Sequence, residues 1–95
     1  MLSRRIYEQR VAFGWTQVQL AQKLGITKQT VSNWENDNIQ PSIEMLIKLS
    51  KIFNTSTDYL LGLIPTNSIN VDGLPTEFVS HIVQIIDDYR SKKAE

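Results

Sequence analysis

Apolar residues in the stretch TQVQLAQKLGITKQTVSNWE, Thr16 to Glu35, recur at helical spacing in two short runs. In the first, Val18, Leu20, Ala21 and Leu24 share a face, while Gln19, Gln22 and Lys23 point away from it. Thr16 is a good N-cap, and Gln19 three residues on completes a capping box. Gly25 enters the left-handed region without steric cost and so ends the run. Thr27 then caps a second helix with Val31 and Trp34 inward. Two short helices across a glycine-centred turn make a helix-turn-helix, the motif whose second helix lies in the DNA major groove.

The same patterning predicts helices on both sides. Residues 3–13 read as a first helix, capped by Ser3, with Ile6, Arg10 and Phe13 on one face, flanked by Tyr7 and Val11, and stopped by Gly14. Trp15, just ahead of the Thr16 cap, is expected to anchor the core as a staple. After Pro41, Ser42 caps a fourth helix whose core residues are Ile43, Leu46, Ile47 and those from Leu49 to Phe53, with Asn54 closing it. Ser56 caps a fifth, Thr57 to Leu61, with Tyr59 and Leu60 inward and Gly62 as the stop. Turn formers at Pro65, Asn67, Ser68, Asn70 and Gly73 mark residues 64–74 as a linker, in which Ile69 and Val71 alternate as in a short strand.

A last helix is expected from Pro75 to Lys92, with Pro75 in its first turn and Glu77 complementing its dipole. Phe78, Val79, Ile82, Val83, Ile85, Ile86 and Tyr89 fall within one arc of about 160° at 100° per residue. Thr76, Ser80, His81, Gln84, Asp87 and Asp88 take the other side. The expected layout is therefore a helix-turn-helix domain over 1–63, a linker over 64–74 and a C-terminal helix over 75–95. Such an apolar face must be covered, either by its own bundle or by a second copy. Because five helices already complete a bundle, self-pairing is the favoured reading.

Chemistry on the second helix of the motif sharpens the functional reading. Lys28, Gln29, Thr30, Ser32 and Asn33 form its polar face. Gln and Asn can hydrogen-bond adenine, Lys can donate to guanine, and the methyl of Thr30 can meet thymine. A face serving only solubility would more often carry Glu and Lys, which are better helix formers. These five are the candidate base readers.

The segments TQVQLAQKLGITKQTVSNWEN and PSIEMLIKLSKIFNTSTDYLLG resemble the phage-repressor and Cro type of helix-turn-helix regulator, also called the xenobiotic-response-element family. The likeness covers about residues 3–63, in register at Arg10, Thr16-Gln17, Ala21, Gly25, Val31, Trp34-Glu35, Pro41-Ser42 and Tyr59 to Gly62. It implies an all-α, five-helix, lambda-repressor-like DNA-binding domain, here followed by the amphipathic helix. It also implies a structural ion pair between Arg10 and Glu35, and a phosphate contact from Gln17 at a helix N-terminus. Thr16, Asn36, Asn38, Lys23 and Arg5 complete the candidate phosphate set. The loop from Asn36 to Gln40 departs from the family, with Asp37 and Gln40 where relatives often carry glycine and cations.

Composition bounds the remaining classes. Ninety-five residues suit one small domain with an appendage, near the size where a partner subunit helps. The chain has no cysteine and one histidine, so no metal site and no cofactor is expected. No apolar run approaches the ~18 residues of a membrane span, and no signal peptide is apparent, so a cytoplasmic protein is expected. Net charge is zero, which is unusual for a DNA binder, but residues 1–63 carry seven Lys/Arg against five Asp/Glu. No catalytic constellation is present; Asp87-Asp88 is an acidic pair whose members do not face each other on a helix.

Together these observations point to a homodimeric regulator, a repressor by preference, on an inverted-repeat operator of double-stranded DNA. The alternative is an antitoxin-like or other interaction module whose last helix binds a different protein.

Overall fold

The computed structural model describes residues 1–94, with side chains to residue 92. Six helices follow in order: α1 Leu2–Ala12, α2 Gln17–Leu24, α3 Lys28–Glu35, α4 Ile43–Ile52, α5 Thr57–Leu60 and α6 Thr76–Ala94. Four of them start on a hydroxyl. The side chains of Thr16, Thr27, Ser42 and Ser56 each accept the backbone N–H three residues on, satisfying a donor that a helix start otherwise leaves orphaned. At Thr16 the capping box is complete: Gln19 N–H donates to Oγ1, and Thr16 N–H donates to Gln19 Oε1 at 2.8 Å.

The ends of α1 to α5 share one device. Each closes with a 6→1 bond paired with a 5→2 bond, as in Trp15 N–H to Arg10 O with Gly14 N–H to Val11 O. This motif needs a left-handed residue, supplied by Gly14, Gly25, Asp37, Asn54 and Gly62, with φ between 50° and 80°. Asp37 is the costly choice, because left-handed backbone brings its Cβ close to a carbonyl oxygen. Asp37→Gly should therefore raise unfolding free energy by up to about 1 kcal/mol, read as a rise in the urea midpoint at constant m-value.

Ile6, Leu20, Ala21, Leu24, Val31, Trp34, Leu49, Phe53 and Leu60 form the core. It draws on all five helices, so that α3 is seated from behind by α1 and α2. Trp15 anchors this core as expected, stacked on Phe13 (4.7 Å between centroids) and Phe53 (5.9 Å). Phe13 is 44% exposed, so its contribution is this aromatic stack and not a buried site.

Several sequence expectations are corrected. Ser3 is not the first cap; α1 starts at Leu2 without a side-chain cap. Val18, Ile43 and Ile47 lie outside, at 46%, 79% and 44% exposure, because helices this short present to the core only a narrow stripe. On α4 that stripe is Leu49 and Phe53, with Met45, Leu46 and Ile52 half-buried beside it. Helix α5 ends at Leu60, not Leu61, and Pro75 precedes α6, its carbonyl accepting from Phe78 and Val79.

No strand forms among the described residues, and Ile69 and Val71 have no neighbouring chain to pair with. The segment instead crosses the α4–α5 corner as a strap. Thr55 hydroxyl hydrogen-bonds Asn67 Oδ1, and the Asn70 amide donates to Asn54 Oδ1 at 3.3 Å.

Helix α6 makes at most glancing contact with the other five. Val79 and Ile82 are half-buried, whereas Phe78, Val83, Ile85, Ile86 and Tyr89 are exposed. The greater part of the stripe is left uncovered by its own bundle. His81 lies on the exposed side.

Candidate nucleic-acid interface

Helix α3 is held from within by two residues, Val31 and Trp34, both buried in the core. That anchorage turns Lys28 and Gln29 fully outward, with Thr30, Ser32 and Asn33 at the half-buried edge of the same surface. All five candidate base readers therefore belong to one helix and one exposed region. Their polar groups are already organised. Thr27 and Thr30 hydroxyls share a 2.9 Å hydrogen bond, Gln29 Nε2 donates to Asn33 Oδ1 at 3.1 Å, and Asn36 Nδ2 donates to Ser32 Oγ at 3.2 Å. The second and third bonds join residues four apart, which are neighbours on a helix surface.

Behind this face lies the Arg10–Glu35 ion pair. Arg10 Nε meets Glu35 Oε2 at 2.7 Å and Nη2 meets Oε1 at 3.0 Å, a bidentate fork between side chains only 12% and 5% exposed. Arg10 Nη1 also donates to Trp15 O at 2.8 Å. Its hydrogen bond to Glu35 holds the Arg10 pKa above the ordinary guanidinium value, against the opposing effect of burial. A raised basic pKa contributes stability below the unfolded value, so from the arginine side the pair is in force at every physiological pH.

Gln17 joins this network: its Nε2 donates to Glu35 Oε1 at 3.1 Å. One carboxylate thus ties the start of α2 and the last turn of α1 to the last turn of α3. The sequence had no signal for the Gln17–Glu35 bond, because a contact 18 residues apart carries no periodicity.

The phosphate candidates divide. The Thr16 amide is committed to the capping box and its hydroxyl accepts there while keeping its O–H donor; the Gln17 NH2 gives one hydrogen to Glu35 and keeps the other. Beside them at this helix start are the backbone N–H groups of Gln17 and Val18, which have no intrahelical acceptor and favour an anion. The Asn36 and Asn38 amides donate to Ser32 O and Asn33 O in closing α3, so only their side chains are left for a phosphate.

Arg5 is engaged within the bundle. It stacks on the Tyr59 ring at 3.8 Å and donates to Tyr59 O and Ile64 O, which ties α1 to the end of α5. Lys23 is exposed but rests its ammonium over the Trp15 ring at 4.5 Å. No group of acidic, histidine or cysteine residues able to hold a metal occurs among the described residues. Nor is any described helix long and apolar enough to cross a membrane.

A helix-turn-helix family model matches residues 6–60, the whole of the bundle just described apart from its first residues. The chain belongs to the helix-turn-helix family. It is similar to the HTH-type transcriptional regulator ImmR of Bacillus subtilis, 37% identical over 87 residues, which span 92% of this chain and 68% of ImmR. Among solved structures it is similar to the P22 c2 repressor in complex with a synthetic operator, at 32% identity and a TM-score of 0.61. That match covers 63% of this chain and 91% of the repressor chain. It is likewise similar to SinR, a master regulator for biofilm formation, in complex with DNA. There the identity is 34%, the TM-score 0.60 and the coverage 64% of this chain and 98% of the other. The two DNA complexes match about two-thirds of this chain, so α6 gains no argument from them.

Proposed function

We propose that this protein is a sequence-specific DNA-binding transcriptional regulator that represses from an inverted-repeat operator as a homodimer. The observation that carries the reading is the outward amide and hydroxyl face of α3, seated on Val31 and Trp34 and braced by the Arg10–Glu35 fork. Membership of the family supports DNA as the ligand, as do relatives solved with DNA. Lys28, Gln29, Thr30, Ser32 and Asn33 read base edges. The start of α2, the side chains of Asn36 and Asn38, and Lys23 meet phosphates.

Cations are scarce for this task. Arg5 and Arg10 are engaged by partners within the bundle, while Arg4 and Lys48 lean on Glu8 and Glu44. Orientation on the duplex therefore relies on helix-start amides more than on net charge. Discrimination then has to come from the base-reading face. In duplex titrations Gln29→Ala should weaken operator binding by about 1–3 kcal/mol and leave binding to random duplex unchanged. Equal losses on both would remove Gln29 from the base readers.

Residues 1–63 act as the DNA-binding domain, 64–74 as a linker and 75–95 as the dimerisation element. With α6 left exposed by its own bundle, a second copy of α6 is the covering that also delivers two reading helices roughly 34 Å apart. The exposed stripe equally suits a helix of a different protein. Light scattering separates the two: a dimer supports self-pairing, and a monomer supports the partner protein.

A further inference from the structure

The hydrogen bonds along α3 fix which groups are left to read DNA. Gln29 gives one Nε2 hydrogen to Asn33 Oδ1, and so keeps one N–H donor together with its free carbonyl acceptor. Asn33 has turned its carbonyl along the helix towards Gln29, and so keeps the two donors of its NH2 group. The Thr30 hydroxyl is tied to Thr27, and the Ser32 oxygen already accepts from Asn36. On the central part of this face, Gln29 Oε1 is thus the side-chain acceptor that remains wholly uncommitted, among an excess of donors that includes the Lys28 ammonium.

Base edges differ in the complementary sense. Adenine offers the N7 acceptor beside the N6 donor, which matches one N–H and one carbonyl; guanine offers two acceptors, N7 and O6, which match two N–H groups. We infer that Gln29 and Asn33 act as one locked amide pair that reads adjacent adenine and guanine, Gln29 taking the adenine and Asn33 the guanine. This inference rests on the reading of α3 as the base-contacting helix. It also narrows the expectation drawn from residue type alone: with its carbonyl turned along the helix towards Gln29, Asn33 presents its NH2 group outward, which suits guanine better than adenine.

The lock has a consequence that two independent readers lack. Removing Asn33 frees the Gln29 side chain, so a single truncation disturbs two base positions. Each matched bidentate contact corresponds to about 5- to 150-fold discrimination.

Selection from a randomised duplex library with the whole chain, followed by titration of the selected duplex and its single-base variants, tests this. Wild type should return a half-site containing adjacent adenine and guanine. Asn33→Ala should flatten preference at both positions. Asn33→Asp keeps an acceptor for Gln29 but offers no donors, so it should hold the adenine and move the neighbouring preference from guanine to cytosine. A selected half-site without that adenine–guanine step overturns the inference. So does an Asn33→Ala protein that relaxes one position alone, or an Asn33→Asp protein that still prefers guanine. A wild-type selection that returns no motif at all overturns the functional reading above as well, and is told apart by its flat profile.

Discussion

Arg10→Ala will destabilise the protein by about 3–5 kcal/mol, a large fraction of what a domain this size has to lose. The reason is what remains behind. Glu35 is 5% exposed and would keep only the Gln17 amide as partner, a single neutral donor against a full charge. Glu35→Ala should cost less, because Arg10 retains the Trp15 carbonyl and is less enclosed. The doubly substituted protein should recover part of the loss, since removing both charges leaves neither stranded. Urea denaturation of the two single variants and the double, followed as a mutant cycle, measures all three values. Equal, small effects for the single variants would show that the fork contributes orientation and little stability. Operator affinity read beside stability gives a further check. Glu35 also holds Gln17 at the start of α2, so losing it should loosen the phosphate-facing amides even where the fold survives.

On the proposed pairing through α6, Ile82→Asp will leave the protein monomeric and lower operator affinity by roughly 100-fold or more. Ile82 lies centrally in the α6 stripe, where a carboxylate would be stranded between two apolar helices. Two linked reading heads bind as one unit with an avidity gain of about 10²–10⁴, which is lost when the link breaks. Sedimentation equilibrium gives the oligomeric state, and titration of a full operator against a single half-site gives the avidity. Because Ile82 is half-buried within its own chain, the urea midpoint is read beside the oligomeric state, and an unchanged midpoint assigns the loss to the interface. A persistent dimer would move the self-association surface away from α6.

The fold was legible in the sequence wherever its cause is local. Thr16, Thr27, Ser42 and Ser56 announce their helices because a hydroxyl cap acts within three residues. Gly14, Gly25, Asn54 and Gly62 announce the ends because left-handed backbone is a property of single residues. Burial was less legible. Ile43 and Ile47 look like core by residue type, yet only the angle at which α4 meets the bundle decides which of its faces is inside. The candidate site divides in the same way. Gln29 with Asn33 and Ser32 with Asn36 are spaced as helix neighbours, so their pairing was within reach of the pattern. The Gln17–Glu35 bond and the capture of Arg5 by Tyr59 and Ile64 were not, since they depend on how separate helices meet. A cation at a helix surface such as Arg5 advertises charge and conceals a carbonyl partner 54 residues away.

The strap over the α4–α5 corner limits the reach of the whole molecule. With Asn67 and Asn70 pinned to Thr55 and Asn54, only residues 71–75 remain as slack before α6 begins. A tether of five residues extends at most about 18 Å and cannot wind round the duplex. If two copies join through α6, inserting about half a helical turn of base pairs between half-sites carries the second target to the far side of the DNA. Such a protein would be as strict about the gap in its operator as about the letters.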